Sequence, residues 1–183
     1  ENYTTDSLAQ QIVNNRELWF IPAVNPDGLI YNQNIAPNGG GMQRKNARET
    51  CNGTPDGIDL NRNYSYMWGY DNDGSSNDGC DETYRGTGPF SESETIAIRD
   101  FALENQFILS VSYHSSRSGC VSEKVISSWL WDEEKEAPDL PVISRLGEEI
   151  SQLIPSEDGL VYYYPANSTS MRGNAHDWFY KQT

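Results

Sequence analysis

The feature that most constrains this chain is the stretch from Asn25 to about Pro89, which has little hydrophobic periodicity. It is rich in Gly, Asn, Asp and Pro, so neither a long helix nor a paired strand is expected across it. A loop of that length inside a compact domain is usually functional or disordered. This one is punctuated by Arg, Trp and Tyr, which disordered segments tend to lack. An ordered, site-building loop is the expectation.

The flanking segments read as regular structure. Residues 5–15 look like the end of an amphipathic helix with Leu8, Ile12 and Val13 on one side. The apolar run 17–24 (ELWFIPAV) is expected to be a buried strand that stops, or runs at an edge, near Pro22. Ser91 and Glu94 form a capping box, opening a helix through about Glu104. Residues 107–113 (FILSVSY) read as a second strand, ending at His114. A weaker strand near 125–131 precedes a helix over 139–154, and a last short helix begins near Asn174. Strands interleaved with helices give an α/β class, in which ligands bind at strand ends. The 183 residues have the size of one domain.

Charge narrows the function. With 27 acidic against 13 basic residues and a net charge of −14, nucleic acid and anionic lipid are excluded as partners. No apolar run approaches the roughly 20 residues that span a bilayer. The start, Glu1-Asn2-Tyr3, has neither the basic nor the apolar part of a signal peptide. The three cysteines, Cys51, Cys80 and Cys120, include no Cys-x-x-Cys pair. Cys51 and Cys80 both sit in Gly/Asn/Asp-rich loops that a bridge would restrain, and a bridge implies an oxidising compartment. Asn-x-Ser/Thr sequons at Asn2, Asn52, Asn63 and Asn167 are compatible with secretion.

Against this acidic background, Arg44, Lys45 and Arg48 crowd into one loop, and Arg62 follows Asn61. A guanidinium is a planar fork that binds carboxylates through two hydrogen bonds, and Asn61 adds a neutral donor. The bland alternative is a set of surface arginines paired with nearby acids. His114 stands at a strand tip, where this fold class places ligands, while His176 falls in a helical pattern. Residues 71–82 (DNDGSSNDGCDE) place oxygen-bearing side chains at calcium-loop offsets, but Ser76 occupies the turn position that needs Gly. A solvated acidic loop is favoured there over Ca2+ binding.

Several segments, taken in order, carry a resemblance. They are Asn25-Pro26-Asp27-Gly28, Arg44-Lys45-Asn46, Gly57-Ile58-Asp59-Leu60-Asn61-Arg62-Asn63 and Cys80-Asp81-Glu82-Thr83-Tyr84-Arg85-Gly86. Pro89-Phe90-Ser91-Glu92-Ser93-Glu94-Thr95, Ser112-Tyr113-His114-Ser115 and Asp177-Trp178-Phe179-Tyr180 complete the set. Together they resemble the zinc metallocarboxypeptidases, the carboxypeptidase A-like peptidases. The resemblance implies a mixed, twisted sheet with helices on both faces, of which this chain holds the central part of a single peptidase domain. It implies removal of C-terminal residues from peptides, with Zn2+ as cofactor and peptide or protein C-termini as partners. It also implies a secreted or periplasmic monomer and a Cys51–Cys80 disulfide.

Position by position, His114 matches a zinc ligand, and Asn61 with Arg62 the clamp on the substrate's terminal carboxylate. Arg44 matches the residue that polarises the scissile carbonyl. Tyr164 is the candidate for the tyrosine that caps the substrate, although a gapless count from Asp177 reaches Thr169. His176 falls where the specificity pocket is lined, and implies a preference for polar or acidic C-terminal side chains. The family's His-x-x-Glu ligand pair and its general-base Glu find no match in the chain. On its own the chain is therefore expected to be inactive. Two alternatives remain: a non-catalytic relative that binds C-termini, and an amidase-like relative, against which the Asn61-Arg62 pair argues.

Overall fold

The computed structural model describes residues 3–52, 56–114, 124–132, 134–155, 164–167 and 171–182. Helix α1 (Ser7–Asn15) is started by Asp6, whose carboxylate accepts from the backbone N–H of Leu8 at 2.8 Å and Ala9 at 3.2 Å. Leu8, Ile12 and Val13 stay exposed along it. The segment 17–24 is unpaired, with Phe20 84% exposed, so the strand expected there is not formed among the described residues. The run 107–113 is likewise unpaired, and Ile108 is 97% exposed. An apolar run becomes a strand only when a neighbour supplies the other half of the ladder.

The described residues of the aperiodic stretch are ordered by turns and side-chain hydrogen bonds, and they include a helix that turn-like residues conceal. Asn25 caps α2 (Pro26–Ile35), accepting from Gly28 N at 3.0 Å, with Pro26 and Asp27 in the first turn. The Asn25 amide also donates to the backbone carbonyls of Arg44 and Lys45, at 3.1 and 3.0 Å. A 3-10 turn (Leu60–Arg62) follows, capped by Asp59. Helix α3 (Ser93–Asn105) begins at Glu92 rather than at the expected Ser91 cap. The Ser91 hydroxyl instead donates to the Glu92 carboxylate at 2.6 Å.

Strand β1 (Lys124–Ser127), helix α4 (Leu140–Ser151) and strand β2 (Tyr164–Asn167) form a β-α-β unit, in which the strands are parallel and α4 packs on both. Its register sets Lys124 opposite Tyr164 and Ser127 opposite Asn167. Helix α5 (Ala175–Gln182) closes the described chain.

The core is small and aromatic. Tyr64, Ala102 and Trp178 are buried, with Phe90, Ile98, Phe107 and Phe179 packed against them. Phe90 and Trp178 meet edge to face at 5.4 Å, a geometry that aligns ring edges with ring faces. Polar side chains order the loop around this core. Asn63, fully buried, donates to the carbonyls of Arg85 and Gly88 and to Ser91 Oγ, and accepts from Thr95 Oγ1. Lys45, 1% exposed, holds the Asp81 carbonyl at 2.8 Å and the Asp56 carboxylate at 3.1 Å. Gly57, at a φ of 82°, lies where a Cβ would fall 1.8 Å from the Asn46 carbonyl oxygen, so glycine is required there.

Cys51 and Cys80 form the expected disulfide, while Cys120 lies outside the described residues. The bridge closes a sequence separation of 29. Replacing both cysteines by serine is expected to lower the unfolding free energy of the complete protein by about 3–4 kcal/mol. Urea titration of the oxidised protein and the serine variant checks this. Equal midpoints would show that the loop is held by its hydrogen bonds alone.

Candidate active site

Asp59 is the centre on which the candidate residues converge. It is 3% exposed, and its carboxylate accepts from Asn61 N at 3.1 Å and from Arg44 Nη1. Arg62 Nη1 approaches the same carboxylate at 3.7 Å. Arg44 is also engaged by the Glu82 backbone carbonyl, and its Nε lies 3.5 Å from the Glu82 carboxylate. Here, then, Arg44 is folded back onto acidic partners, with a side chain still 43% exposed.

Arg62 is more deeply set, its side chain 12% exposed. Its Nε donates to the Gly74 carbonyl and its Nη1 to the Asn61 carbonyl at 2.8 Å. Burial pushes the guanidinium below its ordinary value; Asp59 opposes that shift, and Arg44 adds to it. The nearest carboxylate, that of Asp59, stands 3.7 Å from Nη1 and is also engaged by Arg44.

Asn61 ties this turn to α5. Its Oδ1 accepts from Ala175 N at 3.0 Å, and its Nδ2 points at Met171 Sδ, 3.8 Å away. Gly173 permits that approach, since a Cβ there would lie 2.4 Å from the Arg62 carbonyl. One residue further along, the His176 ring stacks near that of His114, with centroids 6.2 Å apart and planes inclined by 27°. Both histidines of the chain therefore belong to one site.

His114 stays open to solvent on one side and accepts or donates at 3.3 Å with Ser112 Oγ. Burial of its ring lowers its basicity, with Asp59 opposing and Arg62 reinforcing. His176 is half-buried, and its buried Nδ1 has no partner. Burial, with His114 adding to it, pushes it down to about 4, so it is neutral at physiological pH.

Tyr164 begins β2, but its side chain lies outside the described part of the structure. The segment 71–82 forms no calcium loop: no helices flank it, and its acidic side chains are committed elsewhere. Asp71 and Asp73 face Arg172, at 2.8 and 3.7 Å. Asp78 caps Cys80 N at 2.9 Å, and Asp81 accepts from Ser76 Oγ. The segment is an acidic loop held by protein partners, and Ca2+ binding there is not supported.

Zinc requires about four ligands, at least three of them from protein. Among the described residues no three His, Cys, Asp or Glu side chains converge to hold a metal. Within this set His114 offers one nitrogen, and the described residues alone do not fit a zinc ion.

Sequence reasoning missed Asp59 as the shared partner of both arginines, although an Asp directly before Leu-Asn-Arg is an N-cap signal. It also missed Asp177 as more than a motif residue. Asp177 is fully buried and accepts from Leu130 N, Trp131 N and Asn174 Nδ2, fixing α5 against segment 130–131.

Known proteins are similar to this chain in sequence and in fold. A model of the zinc carboxypeptidase peptidase family matches residues 1–183. Metallocarboxypeptidase A of Trichophyton rubrum is 35% identical over 117 residues, covering 62% of this chain and 26% of the relative. Human carboxypeptidase O is 25% identical over 183 residues, covering 97% and 46%. An inactive metallocarboxypeptidase of Talaromyces stipitatus is 26% identical over 186 residues, covering 88% and 30%. The crystal structure of thrombin activatable fibrinolysis inhibitor superposes with a TM-score of 0.78 at 26% identity, covering 98% of this chain and 44% of that one. The chain thus spans less than half the length of each of these relatives, and its α/β fold is that of the zinc carboxypeptidases. By match over its whole length and by fold, the chain belongs to the zinc carboxypeptidase family.

Proposed function

We propose that this chain is the carboxylate-reading part of a zinc carboxypeptidase that removes C-terminal residues from peptides. The observation that carries this is Arg62, a buried guanidinium whose nearest carboxylate, that of Asp59, is shared with Arg44 and stands 3.7 Å away, next to Asn61 in the same turn. A peptide's terminal carboxylate supplies a further negative charge and meets the guanidinium fork with two hydrogen bonds. Asn61 lies next to that fork as a neutral partner. Arg44, held on the same Asp59 carboxylate that Arg62 approaches, exchanges its acidic partners for the carbonyl of the last peptide bond. There it opposes the negative charge that develops on the oxygen.

His114 would be one ligand of the zinc ion, which would supply an activated water, and no three ligating side chains converge among the described residues. The 183 residues alone are inactive in this reading. Tyr164 caps the substrate from β2. His176, with a free buried nitrogen, lines the pocket for the last side chain and favours a polar or acidic one. The disulfide supports an oxidising compartment, in keeping with a secreted or periplasmic protein. No described helix is long and apolar enough to cross a membrane.

The test is a time course of peptide digestion by the complete protein, followed by mass spectrometry. Single residues should leave in order from the C-terminus; chelation should stop the reaction, and zinc should restore it. Internal cleavage, or indifference to chelator, would contradict the proposal. A second reading is a binder of C-termini that does not cleave them, favoured by the relative named inactive. It predicts chelator-independent binding with no released residues.

A further inference from the structure

Neither carboxylate recognition nor calcium explains why the acidic segment beginning at Asp71 is gripped so firmly. Arg85, 8% exposed, donates through Nη1 to the Asp71 carbonyl at 3.2 Å and to Asn72 Oδ1 at 2.8 Å. Arg172, 7% exposed, holds the same residue through its side chain, with Nη2 2.8 Å from Asp71 Oδ2. Its other nitrogen, Nη1, donates to the Trp131 carbonyl, so Arg172 is itself anchored. Asp71 closes the turn by accepting from Asp73 N at 2.9 Å.

The next residue, Gly74, receives the Nε donor of Arg62 on its carbonyl. The acidic turn is thus a lever with Arg172 at one end and Arg62 at the other. A second connection runs through the residues that flank Arg172. Met171 Sδ meets Asn61 Nδ2 at 3.8 Å, and the Gly173 carbonyl accepts from Tyr64 N at 2.9 Å.

We propose that the Arg172–Asp71 ion pair is a brace that positions Arg62 for the substrate carboxylate, acting through the Gly74 carbonyl. This rests on the reading of Arg62 as the carboxylate clamp. Arg172 touches no substrate in this account and is a positioning residue. The brace also gives the acidic segment a role: its carboxylates serve an internal arginine rather than a metal. Misplacing a substrate-orienting group by about 1 Å costs up to roughly 100-fold, so a modest slackening should be measurable.

The experiment compares Arg172→Ala, Arg62→Ala and the double variant in the complete protein, using a peptide with a free C-terminal carboxylate and its C-terminal amide. Arg172→Ala is expected to raise KM for the free acid about tenfold with a smaller change in kcat. Its preference for acid over amide should fall by a similar factor. In the Arg62→Ala background the same substitution should add nothing, because the group it positions is gone. Arg172→Lys should recover part of the loss. Should Arg172→Ala fail to fold, Asp71→Asn removes the charge of the partner and should give the same KM shift.

An unchanged KM in Arg172→Ala, or an equal loss in the Arg62→Ala background, overturns the brace while leaving the clamp intact. No effect of Arg62→Ala on the free acid overturns the clamp reading itself, and the brace with it.

Discussion

Replacing Arg62 with alanine in the complete protein is expected to lower kcat/KM on peptides with a free C-terminus by about 100- to 1000-fold. Truncating one partner of a buried, hydrogen-bonded charge pair costs about 3–4 kcal/mol, and each 1.4 kcal/mol is a factor of ten. The structure sets this scale because the side chain is 12% exposed, so solvent screens the interaction poorly. Lysine at the same position keeps the charge but loses the fork and the Nε contact to Gly74, and should recover a minor part. Steady-state kinetics on matched peptides reads both. A loss below about fivefold would place Arg62 among ordinary structural ion pairs.

The second large effect concerns stability. Asp177→Ala should destabilise the complete protein by roughly 3–5 kcal/mol, because it strands the buried N–H groups of Leu130 and Trp131 and the Asn174 amide. Burial pushes the Asp177 carboxyl above the ordinary carboxylate value, and hydrogen bonds from Asn174, Leu130 and Trp131 pull partly against it. A folded acid with a raised value binds more protons than its unfolded form, so its contribution to stability is lost as pH rises through the folded value and recovered as pH falls. The gap between wild type and the alanine variant should therefore widen on acidification from neutrality. Chemical denaturation at several pH values measures it, and a gap that narrows would place another titrating group in control.

The clustering of the candidate residues is legible in the sequence because they break the local statistics. Arginines gathered in one loop of an acidic chain ask for a structural reason, and Arg44, Asn61 and Arg62 do converge on Asp59. Cys51 and Cys80 were legible from their loop setting and from the family resemblance. The helix at Pro26–Ile35 was not, since Asn-Pro-Asp-Gly reads as a turn although Asn25 caps a helix with proline at its start. The cap of α3 was misplaced by one residue, because Ser91 spends its hydroxyl on Glu92.

Other features are non-local by nature. The runs 17–24 and 107–113 have strand-like composition, but a ladder depends on a neighbour that composition does not specify. Asn63, Asp177 and Lys45 look like surface residues by type, and only their partners, 22 to 47 positions away, make them interior. Arg172 belongs to the same class: its partner Asp71 is 101 residues distant.

The proposed activity turns on recognition of a chain-terminal carboxylate. The most direct measurement is turnover of one peptide by the complete protein in two forms, free acid and C-terminal amide. The buried cation predicts that the free acid is processed about 100-fold or more faster, and that Arg62→Ala erases most of this difference. Equal processing of acid and amide by the unaltered protein would contradict it.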